Sequence, residues 1–380
     1  MQDSRTLTTG LLQKTALHER HRQLGAKMTD FHGWDMPLYY TSILEEHQAV
    51  RQALGLFDVS HMGQVLVTGP DAHETLNRCL VSDLTQVESG RACYTLMLNP
   101  EGGILDDLIV YRLDDQDYLV IVNCGTRASD VAWLDAHRQG RTTVTDISQG
   151  RSIVSVQGPL AARVLEQMLD AKVAGLSRFG IAPVRHMGPE ACIARTGYTG
   201  GDGFELFLPD AHAKRLWDAV LSAAQPLGAR PVGLGARDTL RVEAGLRLYG
   251  TDMDAATSPF EVGLEWTVAA NKPDFIGKDA ILKQKREGLT RRFVGFELAQ
   301  GPIPRSGTDL EVGGRIVGKV TSGTYSPVLN KPLGMGYVEP ACAAPGTTLT
   351  MTVRNQRYAA AVVKLPFWKG QAKPQLEHAP

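Results

Sequence analysis

Two adjacent carboxylates, Asp106 and Asp107, interrupt an apolar run in "GGILDDLIVYRLDD", Gly102 to Asp115. The run alternates as a strand does, so successive side chains point to opposite faces. Asp106 then shares a face with Ile104, Leu108 and Val110, and Asp107 shares one with Leu105, Ile109 and Tyr111. Whichever face is buried carries a carboxylate with it. An unpartnered carboxylate in an apolar interior is costly, so it finds a donor or shifts its pKa. Each member of the pair is therefore either a structural anchor or a working acid.

Two further stretches carry polar side chains at useful spacing. In "PVGLGARDTLRVEAGLRLYG", Arg237, Asp238, Arg241 and Glu243 interleave with Leu240, Val242 and Leu246. On a helix, Arg237 and Asp238 both neighbour Arg241. The set reads as a solvated charge network or as an arginine fork held ready for a substrate carboxylate. In "RTGYTGGDGFELFLP", Gly197, Gly200, Gly201 and Gly203 form a tight hairpin or let backbone approach a ligand, with Tyr198 and Glu205 flanking the turn.

Other chemistries are excluded by what stands at key positions. The ten histidines do not cluster, and His18 and His21 lack a matching carboxylate pattern, so no metal site is expected. Gly313 and Gly318-Lys319 have phosphate-loop spacing, but Val320 replaces the required hydroxyl and more strand follows; Gly313-Gly314 reads as a hairpin turn. Gly233-x-Gly235 fails as a dinucleotide fingerprint because Asp238 stands in the third glycine's place. Neither nucleotide nor flavin is expected, and no nucleophile elbow is present.

The elements that must position these residues fall into three parts. A chain of 380 residues exceeds one ordinary core. With 43% hydrophobic and 21% charged residues it reads as soluble and globular, and a net charge of −1 gives no drive toward nucleic acid or anionic membrane. Five scattered cysteines read as reduced thiols, and the polar start has neither a signal-peptide core nor a membrane span, so a cytoplasmic location is expected. "QVLVTGPDAHETLNRCL" from Gln64 and "SIVSVQGPLAARVLEQML" from Ser152 repeat one form: apolar strand, Gly-Pro, helix. Asp71 with Glu74 predicts a capping-box start for the first of these helices. The stretches that follow also rhyme, which predicts two related, mostly antiparallel α+β modules. From Arg292 the chain becomes short strands cut by Gly and Pro, as in a small all-β barrel. The basic run Lys283 to Arg292 reads as a solvated face or a docking surface for an acidic partner.

Taken in order, "DFHGWDMPLYY", "GLFDVSHMG", "GGILDDLIV", "RTGYTGGDGFE", "GLGARDTLRVEAGLRLYG", "DFIGKDAI", "VTSGTYSPVL" and "MGYV" closely resemble the aminomethyltransferases, the T-proteins of the glycine cleavage system. The resemblance runs from about Thr15 to Phe367. It implies an α+β, three-domain cloverleaf around a central folate channel. Residues 1–57 and 147–275 would form a discontinuous first domain, 58–146 an inserted second, and 276–380 a C-terminal β-barrel domain.

The same resemblance implies a reaction. Lipoylated H-protein presents an aminomethyl group, tetrahydrofolate takes the carbon as cosubstrate, ammonia leaves and 5,10-methylenetetrahydrofolate forms. Asp106 would be the catalytic carboxylate beside the pterin, with Asp107 anchoring the loop. Glu205 and Tyr198 would contact the pterin, Arg237 the folate, and Tyr94, Met62 and Asn123 would line the channel. Two departures stand out: Gly201 replaces a common acid, and the tail "KGQAKPQLEHAP" lacks an aromatic residue that some relatives use. A folate-dependent demethylase of the same superfamily is the alternative. A non-catalytic folate-binding relative is disfavoured by the absence of its Cys-aromatic-Gly-Gln-Glu signature. A flavin-linked dehydrogenase fragment is disfavoured by the absence of a dinucleotide fingerprint.

Overall fold

The computed structural model describes residues 11–169 and 173–370. The first ten residues of the polar start and most of the tail, from 371 onward, lie outside the described residues. Two sheets and a barrel carry the architecture. The six-stranded sheet runs Ile181–Pro183, Cys192–Ala194, Gly203–Pro209, Arg151–Gln157, Gly55–Asp58, Arg230–Pro231, with only the last pair parallel. The five-stranded sheet runs Arg91–Leu98, Ile104–Arg112, Asp117–Val122, Gly63–Thr68, Thr143–Asp146.

The two sheets share a plan. In each, the strand before Gly-Pro is followed in sequence by three strands, and the last of the three returns to its side. The echo read in the sequence is thus an echo of topology. Gly69 and Gly158 take φ of +113° and +131°, and a Cβ on Gly158 would lie 2.6 Å from the Ala53 carbonyl oxygen. Only glycine turns the chain there at low cost. Helices Ala72–Cys79 and Ala161–Met168 follow. The capping box is not formed: Asp71 makes no cap bond and instead accepts from the Arg141 backbone N–H at 2.6 Å. Its carboxylate ties the helix start to the turn before the edge strand.

Each sheet buries one face under its helices. Trp217, Leu216 and Val220 of helix Asp210–Ala224 pack on Val154, Val156 and Phe204 of the larger sheet. Leu76 and Leu134 pack on Leu108, Val110 and Val120 of the smaller one. The opposite faces meet in a shared apolar layer that includes Phe57, Tyr111, Ile121 and Phe207. At about 1.5–3 kcal/mol for each large side chain buried, this layer holds the two sheets face to face.

Arg292–Glu297, Lys331–Val338, Arg315–Ser326, Asp309–Val312, Thr348–Val353 and Gln356–Val363 close a six-stranded barrel. Gly313 and Gly314, both at positive φ, turn the chain between two of its strands. The basic run lies partly on helix Lys278–Glu287, whose Lys283 and Lys285 are exposed. His18 and His21 sit buried on helix His18–Gln23 and bond Asp35 at 2.7 Å and Asp58 at 2.8 Å. They anchor the helix.

Candidate active site

The turn into strand Ile104–Arg112 explains the paired glycines ahead of the carboxylates. Gly102 has φ +87°, and a Cβ on Gly103 would fall 1.8 Å from the Ala255 carbonyl oxygen. The strand therefore starts hard against a crossing segment, with Asp106 and Asp107 at the end that loses its partner. Ladder pairing with Asp117–Val122 ends at Ile109 and Ile121, and Asn123 takes over with its side chain. Its Nδ2 donates to the Asp107 carbonyl at 3.1 Å, to Asp107 Oδ1 at 3.0 Å and to Asp106 Oδ1 at 2.7 Å.

The two carboxylates then part company. Asp106 is 0% exposed and faces the helix-covered core beside Leu108 and Val110. Its oxygens accept from Asn123 Nδ2, the Asn123 backbone N–H at 3.0 Å and the Thr126 hydroxyl at 3.0 Å. Burial still pushes its pKa up, against the pull of its hydrogen-bond partners. Asp107 points to the side where the sheets meet, is half-buried, and accepts from the Tyr94 hydroxyl at 2.9 Å. Burial first, then the charge of Asp106, raises its pKa.

The six-stranded sheet and the helix beyond it supply more of the site. Glu205, on strand Gly203–Pro209, accepts from the Thr196 hydroxyl at 2.6 Å, and Thr196 meets the Tyr111 hydroxyl at 2.9 Å. Arg237 leaves helix Leu234–Glu243 with its guanidinium 4.7 Å from the centre of the Tyr198 ring. Among the described residues no acceptor lies at hydrogen-bond distance from its guanidinium N–H groups, although its backbone N–H is taken by the Gly233 carbonyl. Glu205 lies in its field: burial raises the carboxyl, and Thr196 and Arg237 pull it back. Tyr94, Asp107, Tyr198, Glu205 and Arg237 are deep within the protein, yet all remain partly open to solvent. We read this combination as the lining of a narrow cavity. Asn123 braces one wall, and Met62 packs into the shared apolar layer beside it.

The arginine-rich helix divides its labour. Arg237 serves the cavity. Arg241 is buried and bonds Asp238, Asp252 and the Ser322 hydroxyl, locking the barrel to the helix. Glu243 accepts from Arg51 at 2.8 Å and 3.0 Å, and Arg51 lies 3.6 Å from the Trp368 ring centre. The charge network and the free arginine fork are therefore both present, one turn apart.

Sequence reading missed several groups. Arg247 sits between Tyr198, whose hydroxyl donates to its carbonyl, and Phe293, 4.9 Å from its guanidinium carbon. Trp266, 67% exposed, stacks on Tyr94 with ring centres 5.7 Å apart. His61 is buried within the field of Arg237, and burial and that charge push its pKa down to about 3, so its imidazole is neutral. Its place in "DVSHMG", beside the candidate Met62, was the available signal. Asp130, on helix Arg127–Ala136, reaches Asp106 from behind; only its helical spacing from Thr126 could have flagged it.

Glu205 stands in the field of Arg237 beside Tyr198, and Asp107, with its raised pKa, stands against Tyr94; perturbed carboxyls gathered with an arginine and tyrosines are the kind of cluster found at functional sites. Comparison with known proteins names the class. The GCVT N-terminal domain model matches residues 17–272, and the glycine cleavage T-protein C-terminal barrel domain model matches 291–369. The aminomethyltransferase of Halothermothrix orenii is 45% identical over 356 residues, 94% of this chain and 100% of that one. That of Desulforamulus reducens is 44% identical, covering 94% and 98%. The crystal structure of glycine cleavage system aminomethyltransferase T from Bartonella henselae superposes with a TM-score of 0.89 at 36% identity, covering 94% of this chain and 99% of that chain. The chain belongs to the aminomethyltransferase family, whose members are tetrahydrofolate-dependent one-carbon transferases. Among the described residues, no helix is long and apolar enough to cross a membrane.

Proposed function

We propose that this enzyme transfers the aminomethyl carbon carried on the lipoyl arm of H-protein to tetrahydrofolate, releasing ammonia and forming 5,10-methylenetetrahydrofolate. Carbon–sulfur and carbon–nitrogen bonds to the incoming carbon break, and two bonds to folate nitrogens form. Positive charge develops at that carbon as ammonia leaves, and a fixed carboxylate beside it lowers the barrier. The leaving amine also needs a proton, which a carboxyl with a raised pKa can relay near neutral pH.

The observation that carries the reading is the division of the carboxylate pair. We assign the chemical role to Asp107 and the anchoring role to Asp106, reversing the assignment implied by the sequence resemblance. Asp106 has its oxygens engaged by Asn123 and Thr126 and no exposed surface, so it has no route to substrate. Asp107 accepts from Tyr94 on one oxygen and from the Asn123 amide on the other, but unlike Asp106 it keeps an opening to solvent. Arg237 and Glu205 hold the folate, with Tyr198 and Tyr94 as flat walls against the pterin. Neutral His61 adds no charge next to Arg237. Residues 1–57 with 147–275, 58–146, and 276–380 serve as the three units around this cavity, and the unpaired cysteines fit a reducing, cytoplasmic setting.

The test mixes purified protein, tetrahydrofolate and H-protein bearing the aminomethyl intermediate, and measures ammonia and methylenetetrahydrofolate. Stoichiometric release of both supports the reading. Methyl transfer from a free methylated amine, with no dependence on H-protein, would favour the demethylase instead.

A further inference from the structure

Behind the Asp106–Asp107 pair stands a third carboxyl with no assigned work. Asp130 is 2% exposed and lies within hydrogen-bond reach of Asp106. No described donor reaches its Oδ2. Two carboxyl groups in contact in a dry site cannot both be charged, so one keeps a proton. The donor pattern decides which. Asp106 is used as an acceptor by Asn123 and Thr126, as an ionised carboxylate is. Among the described residues Asp130 has only the Thr126 hydroxyl, shared with Asp106, near its carboxyl and nothing on Oδ2, and burial followed by the charge of Asp106 raises its pKa.

We propose that Asp130 is a positioning residue: a neutral carboxylic acid that donates its proton to Asp106 and, through Asn123, fixes the carboxylate of Asp107. The relay is short. Asp130 bonds Asp106, Asp106 orients the Asn123 amide, and that amide meets Asp107 Oδ1 at 3.0 Å. The other titratable groups facing the cluster are Tyr94, which donates to Asp107, and Tyr249, which lies in the field of all three carboxyls. An ionised Asp130 would add a second negative charge against Asp106 and press Asn123 out of line. The inference rests on the assignment of chemistry to Asp107 only for its effect on rate; the protonation state of Asp130 stands apart from it.

The experiment compares wild type, Asp130→Asn and Asp130→Ala. Infrared difference spectra at neutral pH, with isotope-labelled aspartate, should show a carboxylic-acid carbonyl band in wild type that Asp130→Asn removes. The asparagine amide can still donate to Asp106, so its kcat should stay within about threefold of wild type. Asp130→Ala should lower kcat by about 10²-fold at little-changed KM for folate, the loss expected when a reacting group is misplaced. A wild type without the band overturns the proposal, and so does an Asp130→Asn variant as slow as Asp130→Ala. If Asp130→Ala does not fold, the band and the asparagine variant still decide. A band present alongside a fully active Asp107→Asn variant would leave the proton on Asp130 in place and remove Asp107 from the chemistry.

Discussion

The two N-terminal sheets share one strand plan but give their carboxylates opposite company. On the six-stranded sheet, Glu205 is bonded by Thr196 and faces Arg237, a cation. On the five-stranded sheet, Asp107 is bonded by Tyr94 and backed by Asp106 and Asp130. Burial raises both, but a cation restrains Glu205 whereas a like charge adds to the rise at Asp107. A carboxylate opposed by a cation is suited to holding a ligand still. One crowded by carboxylates is suited to trading a proton. Under the proposed function, one scaffold used twice supplies a binding wall and a reacting wall.

The largest effect expected from this contrast is on rate. Asp107→Asn should cut kcat by about 10²–10³-fold, as loss of a preorganised charge does, while folate affinity changes only a few-fold. Steady-state kinetics with titration calorimetry would read both. On the binding wall the order reverses. Arg237→Ala should weaken folate by roughly 10–100-fold, the worth of a hydrogen bond to a charged group, with a smaller change in kcat at saturation. Equal losses of affinity in the two variants would erase the distinction between the walls.

Acid separates stability from activity. Burial raises the carboxyl of Asp58, but His21, Ser60 and Thr15 outweigh it and leave it at about 2. A folded-state pKa below the unfolded one contributes stability above the ordinary carboxylate range and loses it as pH falls through the folded value. About 2 kcal/mol should therefore disappear between roughly pH 4 and pH 2, measurable by urea unfolding. Activity should fail earlier, because Asp107 titrates above that range. The smallest effect sharpens the contrast most. Asp106→Asn removes the neighbouring negative charge, so the pKa of Asp107 should fall and the acid limb of kcat should move down by about one pH unit. An unmoved limb would mean that Asp106 does not raise Asp107.

Much of this was legible in the chain. The Gly-Pro echo announced a repeated strand plan because glycine at positive φ is a steric requirement there, and the short strands cut by Gly and Pro after Arg292, with the Gly313-Gly314 hairpin, announced the barrel. The candidates Tyr94, Tyr198, Glu205 and Arg237 are each deep yet partly open to solvent, and the folate contacts given to them belong to the proposal. What could not be read was which face of strand Ile104–Arg112 looks into that cavity. Alternation separates Asp106 from Asp107 but does not say which side is covered by helices and which by the other sheet. That depends on tertiary packing, as does the approach of Asp130 from a helix about two dozen residues on. The capping box failed for a related reason: Asp71 found a backbone donor in a distant turn.

The most direct test sets Asp106→Asn against Asp107→Asn in the same assay for methylenetetrahydrofolate, using H-protein-bound aminomethyl donor and matched folate saturation. The expected result is near-complete loss of turnover in Asp107→Asn and a loss of no more than about tenfold in Asp106→Asn, which keeps the shape of its site. A dead Asp106→Asn beside an active Asp107→Asn would contradict the account and return the chemistry to the buried member of the pair.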